Sequence, residues 1–387
     1  MIIDAVFGEG FCGALSRLSA PRCIWTVLQN DLGSTDVFAL LREAENSLSS
    51  DEILAGYIGY ECAAAQMPRL KFLAPPINAP AACFAIFQQR QPFPLGAIED
   101  RHVPELSSID HGHTCAEYCA KVDHIRDRIA AGDFFQVNLS HRQSAFYAPG
   151  KERLIDTLPL DPALSARFGA MLDMGVYSIL SASPELFLSL DGTILASEPI
   201  KGTRPRVSDP DADQQLLREL ENDLKDRAEN IMIVDLIRND FAKVCTDGSI
   251  TEPVLCASRS YPAVHHLYSR IEGQLQPGRG FADALEAAFP CGSITGAPKQ
   301  AAMDAIAELE GEGRGAYCGT VFTCTRVQSR ASVAIRTAMI DEDTRRVDVR
   351  SGGGVTLLSN PEAEYDETLD KAYLFRALTD THDYYRR

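Results

Sequence analysis

The chain has 387 residues, 45% of them apolar and 24% charged, which is enough to bury one large core or two ordinary ones. Its formal net charge of -17 excludes sequence-independent attraction to phosphate backbones or anionic headgroups, so neither nucleic acid nor a membrane surface is an expected partner. The opening MIIDAVFGEG carries acids where a leader would carry basic residues, no apolar run is long enough to span a bilayer, and the 11 cysteines contain no CxxC pair, all of which suits a cytoplasmic protein with reduced thiols.

In chain order, residues 1–110 read as a β-rich N-terminal region with one or two helices. Short apolar runs such as GYIGYECAAA at 56–65 and ACFAIFQQRQPFPLG at 82–96 flank the proline-punctuated APPINAP at 74–80. The polar stretch Val103–His113 lacks periodicity and marks a boundary, leaving 111–387 as a second domain. There the spacing predicts a helix over 114–131, opened by a Thr-x-x-Glu capping pattern and closed by Gly132. Strands are expected at 134–146, 176–190 and 193–198, then a long helix at 212–243, strands at 250–256 and 264–275, and a helix at 280–289. A helix from Pro298 to Glu310, strands at 316–328, 331–340 and 346–350, and a helix from Pro361 to Leu378 complete the pattern. Neighbouring strands interleaved with helices point to mixed α and β layers, not a strictly alternating parallel sheet.

Several residues in this second part can carry chemistry. On the last helix Glu364, Glu367 and Lys371 share one face; they form either a solvated i,i+4 pair or an acidic cluster with an ammonium beside it. Just before it, SGGGV at 351–355 exposes backbone N–H groups to any bound anion. In the long helix Leu224, Ala228, Ile231, Met232 and Asp235 mark an apolar surface with Glu229 beside it; that carboxylate pairs with Arg227 or Arg238, or holds a metal with Glu364 and Glu367. Lys201 stands in SEPIKGTRPR between two prolines, either an ordinary loop lysine or a nucleophile activated by desolvation and by Arg204 and Arg206. With only eight lysines against 29 arginines, a lysine at such a place suggests amine chemistry. Glu185, at a strand turn, can serve as a general acid. VHHLYS at 264–269 puts two histidines in a strand, one of them facing inward. Arg336 lies in an apolar strand and needs an anionic partner. CGSITGAPK at 291–299 runs into a helix start but is not a nucleotide loop.

Taken in order, SASPE (181–185), PIKGTRPR (199–206), DRAENIMIVDLIRND (226–240), VHHLYS, FPCGSITGAPK (289–299), RGAYCG (314–319), AIRT (334–337), SGGG and EAEYDETLDKA (362–372) resemble the chorismate-utilising enzymes. This group includes the anthranilate, aminodeoxychorismate, isochorismate and salicylate synthases. The resemblance runs from about residue 114 to the C-terminus, with GYIGYE (56–61) as the clearest match before it. It implies an α+β fold of mixed, largely antiparallel sheets packed as a sandwich with helices outside. It also implies Mg2+ on Glu229 and Glu367, with Glu364 binding directly or through water. Substrate carboxylate contacts would come from Gly202, Thr203, Tyr317, Arg336, Gly352, Gly353, Gly354 and Lys371, with His266 in the site and Thr295 lining it.

Two positions discriminate within the family. Gln136 stands where water-adding members carry a lysine, so ammonia is the expected nucleophile. Pro-Ile-Lys-Gly-Thr, in place of the Pro-Ile-Ala-Gly-Thr typical of anthranilate synthases, is similar to the aminodeoxychorismate synthases. The expectation is therefore conversion of chorismate and ammonia to 4-amino-4-deoxychorismate, on the way to 4-aminobenzoate and folate, with Lys201 as nucleophile and Glu185 as acid. No glutaminase triad is legible, so a separate glutamine amidotransferase subunit would supply the ammonia, and a separate lyase would release pyruvate. The rivals are an anthranilate-forming enzyme and a non-catalytic chorismate-binding scaffold.

Overall fold

The computed structural model describes residues 2, 4–67, 70, 72–94, 104–262 and 264–379; residues 1, 3, 95, 96 and 103 of the stretches quoted above lie outside them. The described strands form one hydrogen-bonded ladder of 18 members, every pair antiparallel. From Val264–Gln274 it passes through Ile194–Glu198, Leu186–Asp191, Gln328–Val333, Thr320–Cys324, Ile53–Ile58, Ala82–Pro92 and Ser16–Val27. It continues through Asp4–Phe7, Phe168–Asp173, Tyr177–Ser183, Thr337–Asp341 and Arg346–Val355 to Gln136–Tyr147.

The ladder folds back on itself because its strands are apolar on both faces. Ile53–Ile58 is buried along its whole length, so ILAGYI lacks the polar alternation of a half-exposed strand. One set of side chains (Leu54, Ile58, Phe84, Phe322) packs outward on Phe38, Leu41, Ile233, Ile237, Phe281 and Leu285 of helices Val37–Asn46, Leu224–Phe241 and Phe281–Ala288. The alternate set (Ile53, Ala55, Tyr57, Ala85, Phe87, Val321) meets Phe7, Ala170, Leu172 and Ile179 from the other half of the ladder. That half turns Leu180, Ile340 and Val347 outward against Leu154, Leu164, Phe375 and Leu378. At roughly 1.5–3 kcal/mol per buried large side chain, these layers hold the sandwich closed, and the helices lie outside it as the α+β reading requires.

The segment Leu106–Asp110, inside the polar boundary stretch, forms a strand on Gln136–Tyr147. Strand Ile53–Ile58 of residues 1–110 pairs with Thr320–Cys324. Helix Cys115–Ala131 forms as its ends dictate: Thr114 and Glu117 make the reciprocal capping box, and Gly132 takes φ +89°. Among the described residues no helix is long and apolar enough to cross a membrane.

Four expected elements are subdivided. The helix at 212–243 is two, Pro210–Asn222 and Leu224–Phe241, because Asp223 adopts extended backbone and its side chain accepts from the Asp226 N–H. The last helix breaks at Ala372 into Pro361–Lys371 and Tyr373–Thr379. The run 176–190 turns at Pro184 and Glu185, and the expected strand 331–340 divides between Gln328–Val333 and Thr337–Asp341, with Thr320–Cys324 in place of 316–328. The apolar surface of Leu224–Phe241 is also the opposite one: Glu229, Ile233, Val234 and Ile237 are buried, whereas Leu224 and Ile231 are exposed.

Candidate active site

A cavity of about 580 Å³ opens where the two ends of the ladder approach one another. Strands Ile200–Pro205 and Val264–Gln274 bring Lys201, Gly202, Thr203 and His266; strands Gln136–Tyr147 and Arg346–Val355 bring Asn138, Gly352 and Gly354. Helices Leu224–Phe241 and Pro361–Lys371 close it with Glu229, Glu364, Glu367 and Lys371, and Glu185, Tyr317 and Arg336 complete the wall. Thirteen of the sixteen residues expected in the site thus line one cavity.

The remaining three sit just behind it. Gln136 faces Gly354, where a methyl group would collide with its carboxamide. Gly353 backs the acidic helix: a methyl built there would lie 3.1 Å from Glu364 Oε2 and 3.9 Å from Glu367 Oε1. Thr295 is fully buried and its hydroxyl donates to the Cys291 and Gly292 carbonyls, so it shapes a turn and does not line the cavity.

Lys201 donates from Nζ to the Ser293 carbonyl at 3.0 Å, and a methyl at Gly354 would lie 3.5 Å from the same nitrogen. Arg204 and Arg206 do not supply the positive field expected for it. Arg204 pairs with Asp223 and Asp226, Arg206 with Asp213, because these acids lie on, or at the junction of, the two helices running beside the strand. Gly202 has φ +82°, and a methyl there would stand 2.8 Å from the Asp226 carboxylate. That left-handed residue lets the chain bulge as it pairs with Val264–Gln274.

Glu185 is buried, and its Oε1 meets no hydrogen-bond partner among the described residues. Burial raises its pKa, against the Ser293 hydroxyl and the Lys201 ammonium. A carboxyl group that keeps its proton to higher pH is suited to donate it. Glu229 is likewise raised by burial, opposed by Lys201 and Lys225, and its Oε1 also lacks a hydrogen-bond partner. Its ion-pair neighbour is Lys225 at 3.9 Å, and neither Arg227 nor Arg238, which are directed to other groups.

Both histidines of VHHLYS are buried, on opposite faces of their strand. His265 bonds Ser260 and Asp213, away from the cavity. His266 Nδ1 lies 2.9 Å from the Thr203 hydroxyl, and burial together with Arg336 lowers its pKa to about 4, so the ring is neutral at pH 7. Arg336 is not within a strand: it occupies a bend at φ +51° between Gln328–Val333 and Thr337–Asp341. That strained backbone aims the guanidinium at the cavity, where Glu185 is the carboxyl group that acts on it. The glycine run continues the strand expected at 346–350. It is laddered to Asn138, Leu139 and Ser140 on one edge, while pairing with Thr337–Asp341 on the other edge ends at Val349.

The i,i+4 pair Glu367–Lys371 does form, at 2.6 Å, but Lys371 also donates to the Gly352 carbonyl and Glu364 is buried. This face is therefore a cavity wall. Among the described residues no three His, Cys, Asp or Glu side chains form a ready-made metal cage. Magnesium does not need one, since it takes one or two carboxylates with waters and substrate oxygens. The hydrogen-bond-free oxygen of Glu229 and the convergence of Glu364 and Glu367 on side-chain-free Gly353 suit such an ion.

Reading from the sequence overlooked Asn138, Ser293, Lys225 and Arg350, which also line the cavity. Asn138 follows Gln136 by two residues and could have been inferred from strand period. Lys225 and Arg350 lie in the primary structure like ordinary surface charges. Behind the wall, Arg314 is buried, pairs with Glu310 at 2.6 Å, and donates to the carbonyls of Ile294 and Asn138, fixing two pocket segments to each other.

A family model described as chorismate binding enzyme matches residues 17–377. Aminodeoxychorismate synthase component 1 of Salmonella typhimurium is 43% identical over 261 residues, 67% of this chain and 56% of that protein; the Escherichia coli protein of the same name is 41% identical over equal shares. Anthranilate synthase component 1 of Aeropyrum pernix is 39% identical over 63% of this chain and 56% of its own. The aligned region thus spans little more than half of these relatives. The crystal structure of anthranilate synthase component I from Streptococcus pneumoniae superposes with a TM-score of 0.76 at 24% identity, covering 98% of this chain and 90% of its own. Fold, cavity and family model agree, and the chain belongs to the chorismate-binding enzyme family.

Proposed function

We propose that this chain is the chorismate-aminating component of an aminodeoxychorismate synthase, a magnesium-dependent enzyme that converts chorismate and ammonia to 4-amino-4-deoxychorismate for 4-aminobenzoate and folate synthesis. The observation that carries the reading is Lys201 in the cavity wall, with its amine near the proton-retaining Glu185. An amine at this place has a use in a reaction that forms and breaks a bond to the substrate ring, whereas simple binding of a dianion would be served by an arginine.

In this account Arg336, Lys371, Thr203 and the backbone of Gly202 and Gly352–Gly354 hold the substrate carboxylates. Glu229, Glu364 and Glu367 would hold magnesium, which when bound draws electron density from the ring through its carboxylate. The Lys201 nitrogen adds to C2 through its lone pair, both ring double bonds shift by one bond and the C4–O bond breaks; the proton shed by the newly bonded nitrogen passes to the Glu185 carboxylate once that group has given up its own. Glu185 gives its proton to the departing hydroxyl, which leaves as water. Ammonia then bonds to C4, both double bonds return and the C2–N bond to Lys201 breaks; Glu185 hands its proton to the departing Lys201 nitrogen and takes one from the nitrogen now on C4. The sum is chorismate plus ammonia to the 4-amino compound plus water. His266, neutral, orients Thr203 without adding charge. Ammonia would come from a glutamine amidotransferase partner, in keeping with the component naming of the relatives.

The test is to incubate the chain with chorismate, magnesium and an ammonium salt and analyse products by mass spectrometry. The 4-amino-4-deoxy product supports the reading; anthranilate fluorescence in the absence of any lyase overturns it.

A further inference from the structure

Lys225 is a cation in an unfavourable position. It is the second residue of helix Leu224–Phe241, in the turn where the helix dipole favours anions and where Asp226 also lies. Its i,i+4 partner Glu229 is on the C-terminal side, the weaker orientation for such a pair. Helix energetics alone therefore give no reason for a lysine there. The cavity does: the ammonium lies 3.9 Å from Glu229 Oε1 and 3.6 Å from Glu364 Oε1, standing between carboxylates from two different helices. Both separations exceed hydrogen-bond reach. Glu364 Oε1 takes its hydrogen bond from Ser359 at 2.6 Å, and Glu229 Oε1 takes none among the described residues. Lys225 thus holds the two acids by charge alone, with its side chain 42% exposed and free to withdraw.

We infer that Lys225 is a built-in competitor for the divalent cation, occupying the field of Glu229 and Glu364 until a metal and an anionic substrate arrive together. The inference rests on the proposed metal role of these acids. A cation entering beside Glu229 and Glu364 meets the ammonium and must displace it, which weakens binding of the metal alone. A substrate carboxylate offers the displaced ammonium a new partner, so the dianion favours the metal. By reciprocity of linkage the metal favours the dianion to the same degree. The cavity would in this way admit its cation mainly together with substrate.

The experiment titrates Mn2+ into the full chain and follows the free-ion electron paramagnetic resonance signal, with and without chorismate and with no ammonium present. Wild type and K225R, which keep the positive charge, should bind Mn2+ weakly alone and more tightly with chorismate. K225M should bind the ion alone about fivefold more tightly, the scale of a partly screened ion pair, and should gain less from chorismate. Equal or weaker binding by K225M overturns the competitor role while leaving the metal reading standing. Binding by none of the three proteins, with or without chorismate, overturns both.

Discussion

Lys201 and Ser293 are joined across the cavity, the amine donating to the carbonyl at 3.0 Å. The contact draws the lysine toward the Gly292–Ile294 turn, whose Ser293 hydroxyl also serves Glu185. One turn therefore holds the nitrogen proposed to attack and steadies the acid proposed to assist it. Replacing Lys201 by Ala should lower formation of the 4-amino product by at least on the order of a hundredfold. Lys201→Arg should be equally inactive, because a guanidinium keeps the charge but is not a nucleophile at neutral pH. Steady-state product formation by chromatography measures both; unchanged turnover in either variant would remove the nucleophilic role.

Glu185 makes the stability of the fold depend on pH. Its pKa is raised in the folded chain by burial, so the folded state binds more protons than the unfolded one above the ordinary carboxylate range. Stability contributed by the protonated form is complete below the unfolded pKa and is lost as pH rises through the folded one. Glu185→Gln should flatten this slope, visible as a higher melting temperature relative to wild type at about pH 8 than at about pH 5. It should also remove the fall of kcat/KM at high pH that loss of the acid's proton imposes. A variant whose pH profile overlays that of wild type would contradict the acid role.

The Arg314–Glu310 pair is 1% exposed on both sides and ties the Ile294 and Asn138 carbonyls together. Arg314→Leu removes the nearer of the two arginines facing the buried Glu310, the other being Arg350 at 3.5 Å, and should cost about 3 kcal/mol, measurable by urea denaturation. The double variant Arg314→Leu with Glu310→Leu should recover part of that loss, because the under-compensated carboxylate is gone and Arg350 keeps Glu312 as a partner. Failure to recover would show that the carbonyl contacts of Arg314, and not its charge pairing, dominate.

At Gly202, φ is +82° and the space for a methyl is taken by Asp226 and Leu220. Gly202→Ala should destabilise by roughly 1–2 kcal/mol from the left-handed backbone alone. It should also raise KM for chorismate, since the strand carrying Lys201 and Thr203 must shift. Calorimetry and initial rates report the two effects separately.

Taken singly, Lys201, Glu229, Glu364 and Glu367 each read equally well as a loop lysine or an ion-paired surface acid; it is the order of the motifs along the chain that draws them together, and all four line one cavity. The helix at Thr114 was fixed by local capping chemistry, which primary structure displays. What escaped is long-range. The inward face of Leu224–Phe241 depends on where Asp223 ends the preceding helix, and that phase set which side Glu229 faces. The bend at Arg336 follows from strand pairing on either side of it, invisible in the apolar run AIRTAMI. Lys225 and Arg350 owe their place to partners on distant elements, Glu364 in one case and Glu310 and Glu312 in the other.

The proposed chemistry turns on a transient bond between Lys201 and the substrate ring. The most direct measurement quenches the chain with acid during incubation with chorismate and magnesium without ammonium, then maps peptides by mass spectrometry. The account predicts a peptide containing Lys201 that has gained the mass of chorismate less one water, absent when Lys201 is Ala and discharged by added ammonium. An unmodified Lys201 peptide in a preparation that turns over normally with ammonium would contradict it.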